Sequence, residues 1–195
     1  MNQGKLILDA TCAPADIRYP TDLGLLNQVR RQTEKIIDIL FDGFDEKPNN
    51  KPNTYRSIAR KEYLKVAKKR RVTKKQRRKA IRKQLEYINR NLGHIERLEQ
   101  SGAKLEWLND QQYKMLLVVA TVYQQQLSMY ESNHQRIDDR IVSLTQPHVR
   151  PIVRGKAGTP VEFGAKLSVS YHNGYVFLDR LSWDNFNESG DLKSQ

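Results

Sequence analysis

Two features of this chain could do chemistry. The first is Asp9, which interrupts the short apolar run Leu6-Ile7-Leu8 and is followed by Ala10-Thr11. A carboxylate at the end of an apolar strand is costly to bury unless it is paired, hydrogen-bonded or holding a metal. Such a strand suits Mg²⁺, which takes one or two carboxylates plus phosphate oxygens; the plainer alternative is that Asp9 caps the next turn. The second feature is a basic run. Between Arg60 and Lys83 stand 14 Lys/Arg and one acid, Glu62, a net +13 within a chain of +12, so the rest sums to −1. The cations are Arg60, Lys61, Lys65, Lys68, Lys69, Arg70, Arg71, Lys74, Lys75, Arg77, Arg78, Lys79, Arg82 and Lys83. A local excess of this kind is the electrostatic footprint of a polyanion partner. It is weakly specific by itself, because basic helices also occur as solvated faces. These side chains cannot all share one helix face, so phosphate contact would be largely sequence-independent and steeply salt-dependent. Arg154 and Lys156 would add contacts beside a later strand.

Other chemistries are disfavoured. One cysteine, Cys12, excludes an internal disulfide framework, and with four scattered His it makes no zinc site of ordinary spacing. No apolar run is long enough to cross a membrane, and no signal-peptide core follows Met1. A cytoplasmic protein with no membrane partner is the expectation.

The elements that must position these residues read as follows. Lys5 to Thr11 is a strand, and Pro14 and Pro20 bracket a loop. Thr21 or Asp22 caps a helix to about Phe41 with an apolar face of Leu25, Leu26, Val29, Ile36, Ile37 and Leu40. The Asn- and Pro-rich stretch 42–53 is a linker, and Thr54 restarts a helix. Tyr55 to about Gln100 is helical and basic, with a break near Arg71-Val72-Thr73. Ile81, Leu85, Ile88, Leu92 and Ile95 then form an a/d seam. Gly102 marks a turn, and Asn109 or Asp110 caps a helix whose seam is Tyr113, Leu116, Ala120, Tyr123, Leu127 and Tyr130. The two seams predict an antiparallel helical hairpin. Ile137 to Leu144 continues as a short helix, and Gln146 to Gly158 is an extended basic connector. Val161 to Tyr171 alternates as a strand, Asn173-Gly174 signals a hairpin, and Tyr175 to Ser182 returns. The organisation is thus 1–20 strand and loop, 21–145 helical insert (basic helix 55–100 and the hairpin), and 146–195 connector and strand hairpin.

The segment Leu6 to Asp22, LILDATCAPADIRYPTD, resembles the first catalytic-aspartate strand of bacterial insertion-sequence transposases of the DDE class. It is most similar to the group with a long helical insert after that strand, in which L-x-x-D-A-T-x-A-P-x-D-I-x-Y-P-T-D occurs. Gly155 to Ser170 and Leu181 to Leu192 look like that family's second and third strands and the loop beyond. The resemblance implies an α+β, mostly helical chain: a partial ribonuclease-H-like sheet of three strands, interrupted by a coiled-coil-like insert. It implies metal-dependent DNA strand cleavage and transfer in the whole enzyme, with Mg²⁺ as cofactor, Asp9 as the catalytic and metal-binding acid, and transposon ends and target DNA as partners. The family's second Asp (fourth strand) and its Glu (a later helix) have no match here. The expectation is therefore a transposase fragment truncated at both ends and inactive alone.

Among this chain's other acids, Asp179, Asp184, Glu188 and Asp191 fit surface or capping roles better than a second ligand position. Two readings stand beside the transposase: a non-enzymatic basic coiled-coil nucleic-acid-binding protein, and a helical homo-oligomerisation module. Asp9 and its flanks separate the first from both, because a simple basic coiled coil has no use for them.

Overall fold

The computed structural model describes residues 7–153, 161–184 and 186. The chain is α+β. It divides into two compact units, Tyr19–Arg140 and Met1–Arg18 with Ile141–Gln195.

The helical unit is built on α1 (Asp22–Asp42), where Thr21 caps the start by accepting from the Gly24 N–H. Its apolar stripe is fully enclosed: Leu26, Val29, Ile37 and Leu40 have no exposed surface. α2 (Arg56–Ala67), α3 (Lys74–Gln100) and α4 (Asp110–Ser132) follow, with a 3₁₀ turn at Leu105–Trp107. Thr73 and Asn109 both start their helices with reciprocal capping boxes, to Gln76 and Gln112.

α3 packs chiefly on α1, and α4 packs on α1 more than on α3. α3 and α4 also touch each other, and α1 is the larger shared partner of both. Leu85, Ile88 and Ile95 of the predicted α3 seam are buried against it, with Ile81 and Leu92 partly so. The α4 seam is turned by about one residue from its expected position. Val119, Val122, Tyr123, Gln126 and Met129 are buried and Tyr113 is exposed. Tyr123 is buried as expected, Met129 rather than Tyr130 turns inward, and Gln126 is drawn in because its amide donates to Asp22 (3.3 Å).

Two further expectations fail locally. Tyr55, not Thr54, is the N-terminal boundary residue of α2; it adopts a left-handed φ of 53°, its N–H donating to Asn53 Oδ1. Residues 137–144 form no helix. Asp139 turns left-handed (φ 52°), its carbonyl accepts from Gln125, and Arg140 is held by the Asp22 carboxylate and the Gln135 carbonyl.

The other unit is an antiparallel sheet of β1 (Ile7–Pro14), β2 (Arg150–Val153), β3 (Val161–His172) and β4 (Tyr175–Ser182). Four strands stand among the described residues rather than three. The connector supplies the extra one, with Pro151 tolerated at an edge where no ladder N–H is needed. β1 pairs along one side of β3, while β2 and β4 share the other side end to end. Gly164 is required here: a Cβ would collide with the Ala13 carbonyl of β1. Asn173 (φ 51°) and Gly174 (φ 91°) make the tight β3–β4 turn the sequence signals. Residues 1–6 and 154–160 lie outside the described part, and with them Arg154 and Lys156.

A buried polar chain ties three helices together. Arg30, 2% exposed, donates to Gln84 Oε1 (3.2 Å), Asn27 Oδ1 (2.8 Å) and the Glu34 carboxylate. Gln84 passes the contact to the Ala59 carbonyl of α2 (3.3 Å), and Asn91 donates to Thr33 (2.9 Å). Burial pushes the Glu34 carboxyl above its ordinary value, outweighing the pull of Arg30. Removing one partner of a buried pair costs more than removing both. Arg30→Met should lower stability in urea by about 3–5 kcal/mol. Adding Glu34→Leu should recover part of that loss, and strictly additive losses would contradict the coupling.

Candidate nucleic-acid interface

The basic run folds into α2 from Arg60 on, the turn 68–73 and the first half of α3, which pack side by side. Twelve of its 14 cations are exposed. Three of the 14 are engaged within the fold. Lys83 pairs with the Glu62 carboxylate. Arg78 lies over the Tyr130 ring (4.2 Å) and donates to Asn133 (3.0 Å). Arg82, although exposed, stands 3.6 Å from Glu86. The other eleven, Arg60, Lys61, Lys65, Lys68 to Arg71, Lys74, Lys75, Arg77 and Lys79, have no carboxylate within ion-pair reach among the described residues.

The start of α3 sharpens this charge. A helix N-terminus carries partial positive charge from its unpaired N–H groups and favours acids there. α3 opens instead with Lys74 and Lys75, followed by Arg77 and Arg78, and has no acid in its first turn. The local electrostatic rule is broken at the point where like charges are densest, and such violations concentrate at functional sites. An anion at this end would relieve the repulsion and meet the helix dipole.

The one acid inside the run is structural. Burial alone would raise Glu62, but hydrogen bonds from Lys83 and from the Tyr87 hydroxyl (3.0 Å) hold it below its ordinary value. Arg90, which the sequence did not single out, extends the surface along α3. Its guanidinium lies 4.8 Å from the Tyr55 ring and 5.5 Å from the Tyr87 ring.

Asp9 belongs to the other unit. It stands opposite Val169 in the β1–β3 ladder, is exposed, and its Oδ1 accepts from the Ala10 N–H (2.9 Å). Directly opposed residues share a sheet face, so Asp9 shares a face with Ile7, Thr11, Val169 and Leu178. Asp179 accepts from Ser170 (2.9 Å), whose partner in β1 is Leu8, and therefore lies on the opposite face. The two carboxylates cannot share an ion. Asp184 is exposed past the end of β4, while Glu188 and Asp191 lie outside the described residues. Among the described residues no three His, Cys, Asp or Glu side chains come together as metal ligands. A single exposed carboxylate does not make a Mg²⁺ site, so Asp9 by itself supports no catalytic step.

No protein family, curated protein or solved structure matches the chain. Among the described residues no helix is long and apolar enough to cross a membrane.

The sign of the Glu62 shift predicts a pH response. A carboxyl held below its unfolded value of 4.5 adds stability that is fully present above about pH 4.5 and is lost as pH falls through its folded value. Acid should therefore weaken α2–α3 packing. Glu62→Gln should remove that share of the acid loss, measured as unfolding midpoints from pH 3 to 7, roughly the range over which carboxylates titrate. An unchanged pH profile would contradict the assignment.

Proposed function

We propose that this chain binds DNA through the phosphate backbone, with the α2–α3 end as the contact surface, and that it is a piece of a DDE-class transposase. One observation carries the binding reading: eleven cations without an ion pair at one helical joint, including a helix start that repels its own side chains. Contacts of this kind read charge and shape, not base sequence.

The transposase reading is supported by the Leu6 to Asp22 segment. It is also supported by the placement of Asp9 on a strand that pairs with the first strand of the terminal hairpin. The outer side of β1 is unpaired among the described residues, which leaves room for a further strand beside Asp9. In the whole enzyme Mg²⁺ would activate and clamp the reacting oxygens between carboxylates. With Asp9 as its one matched acid, this chain should not cleave DNA by itself. The second reading, a non-enzymatic helical nucleic-acid-binding protein, keeps the same surface and gives Asp9 no role.

Replacing Lys68, Lys69, Arg70 and Arg71 by Gln should weaken binding to duplexes of unrelated sequence alike. It should also make the slope of log affinity against log salt shallower by about 0.9 for each phosphate no longer neutralised. Unchanged affinity and slope would rule this surface out as the DNA contact. Metal-dependent nicking by the chain that Asp9→Ala abolishes would show that the required acids are already present.

A further inference from the structure

Tyr55 is held in a costly backbone conformation. A left-handed φ is an outlier for a bulky side chain, and Tyr55 adopts one of 53°, fixed by its N–H donating to Asn53 Oδ1 (3.0 Å). Core packing does not account for it, because the residue is 43% exposed. Outliers of this kind persist where the surroundings impose them, and they cluster at ligand sites.

The ring meets Arg90. The Arg90 guanidinium lies 4.8 Å from the Tyr55 ring and 5.5 Å from the Tyr87 ring. Tyr87 is itself anchored: its hydroxyl donates to Glu62 (3.0 Å), which also accepts from Lys83. Arg90 is exposed and has no carboxylate within ion-pair reach among the described residues. Two rings and a guanidinium thus form a fixed group of flat surfaces carrying a positive charge.

The surroundings select what this group takes. Tyr55 meets Arg90 and Glu62 meets Lys83, so α2 and α3 run antiparallel, with the turn 68–73 at one end and the rings toward the other. α2 has 12 residues, a length of about 18 Å. That is about five nucleotide steps of a DNA strand. A strand whose phosphates lie on the α2–α3 joint therefore reaches the rings within a few nucleotides, passing the exposed Arg60 and Lys61. Paired bases are stacked inside a duplex and offer only their edges. An unpaired base offers a flat π face, which stacks on aromatic rings and guanidinium planes.

The geometry points to a nucleobase site: Tyr55, backed by Arg90 and Tyr87, stacks an unpaired base of a DNA strand whose duplex part lies on the α2–α3 joint. The inference rests on the phosphate-binding reading above and adds the substrate class, a duplex that carries a single-stranded tail.

The test uses the full chain and two probes of arbitrary sequence, a blunt duplex and the same duplex with a single-stranded tail longer than α2. The tailed probe should bind more tightly. Tyr55→Asn removes the ring with a residue that tolerates the left-handed backbone. It should weaken tailed binding about tenfold, the size of one lost base stack. Blunt binding and the salt slopes should not change, since no phosphate contact is lost. Tyr55→Phe, which keeps the ring, should bind like the parent chain. A fluorescent aminopurine base scanned along the tail should be quenched at the stacked position by the parent chain and not by Tyr55→Asn. Urea unfolding midpoints check that both variants are folded. Equal affinity for the two probes, or a tail preference and quenching that Tyr55→Asn leaves intact, would overturn the inference while phosphate binding stands. Equal loss of blunt and tailed binding in folded Tyr55→Asn would overturn it too, making Tyr55 a support of the phosphate surface. Absence of salt-dependent binding to either probe would overturn both readings.

Discussion

The helical unit depends on a guanidinium that cannot reach water. Arg30 sits inside the α1 face, and its fixed side-chain partners are polar groups of α1 and α3, with Gln84 extending the link to α2. Taking a charge out of solvent is tolerable only with full hydrogen bonding, so the positions of α1 and α3 are set to satisfy it. That constraint also decides where the basic run goes. With Gln84, Ile88 and Asn91 turned inward on α3, and Ala59 inward on α2, the lysines and arginines between them have only the outer surface left. Two ion pairs complete the joint: Lys83 with Glu62, and Arg56 with Asp38 (2.9 Å), which fastens α2 to α1.

β3 buries small side chains on both faces, Ala165 on one and two serines on the other. In β3 the serines Ser168 and Ser170 are buried, at 3% and 5% exposure, while Leu167 and Val169 on the other face are only partly covered or half-buried. Ser168 stands opposite Arg180 and Ser170 opposite Phe177, whereas the face with Leu167 and Val169 carries Asp9 in its midst. Anything that covers that face must also satisfy a carboxylate. This gives Asp9 a physical consequence whatever ion or side chain meets it.

What could be read from the sequence was what is local. The caps at Thr21, Thr73 and Asn109 and the Asn173-Gly174 turn are side-chain-to-backbone or backbone preferences within a few residues, and each stands where the sequence signals it. The seam of α3 was legible as a stripe. Its partner was not, because nothing in a/d spacing distinguishes a neighbour in sequence from α1, which lies earlier in the chain beyond α2. The α4 face was placed about one residue off, although Tyr123 is buried as expected, because Gln126 gains its buried position from Asp22, 104 residues away. β2 was hidden by its proline. For the candidate site, the basic run was evident from composition. The pairing of Lys83 with Glu62 and the holding of Arg78 by Tyr130 and Asn133 were not, since these partners reach them only through tertiary packing.

If the α2–α3 end is where DNA is held, duplex must shield that joint before any other part of the chain. Amide hydrogen exchange of the full chain, with and without a duplex of arbitrary sequence at low salt, measures this directly. Exchange should slow from about Lys65 to Lys79 on adding duplex, and salt should reverse the effect, as backbone binding requires. Protection confined to the β1–β3–β4 sheet, with the α2–α3 joint unchanged, would contradict it.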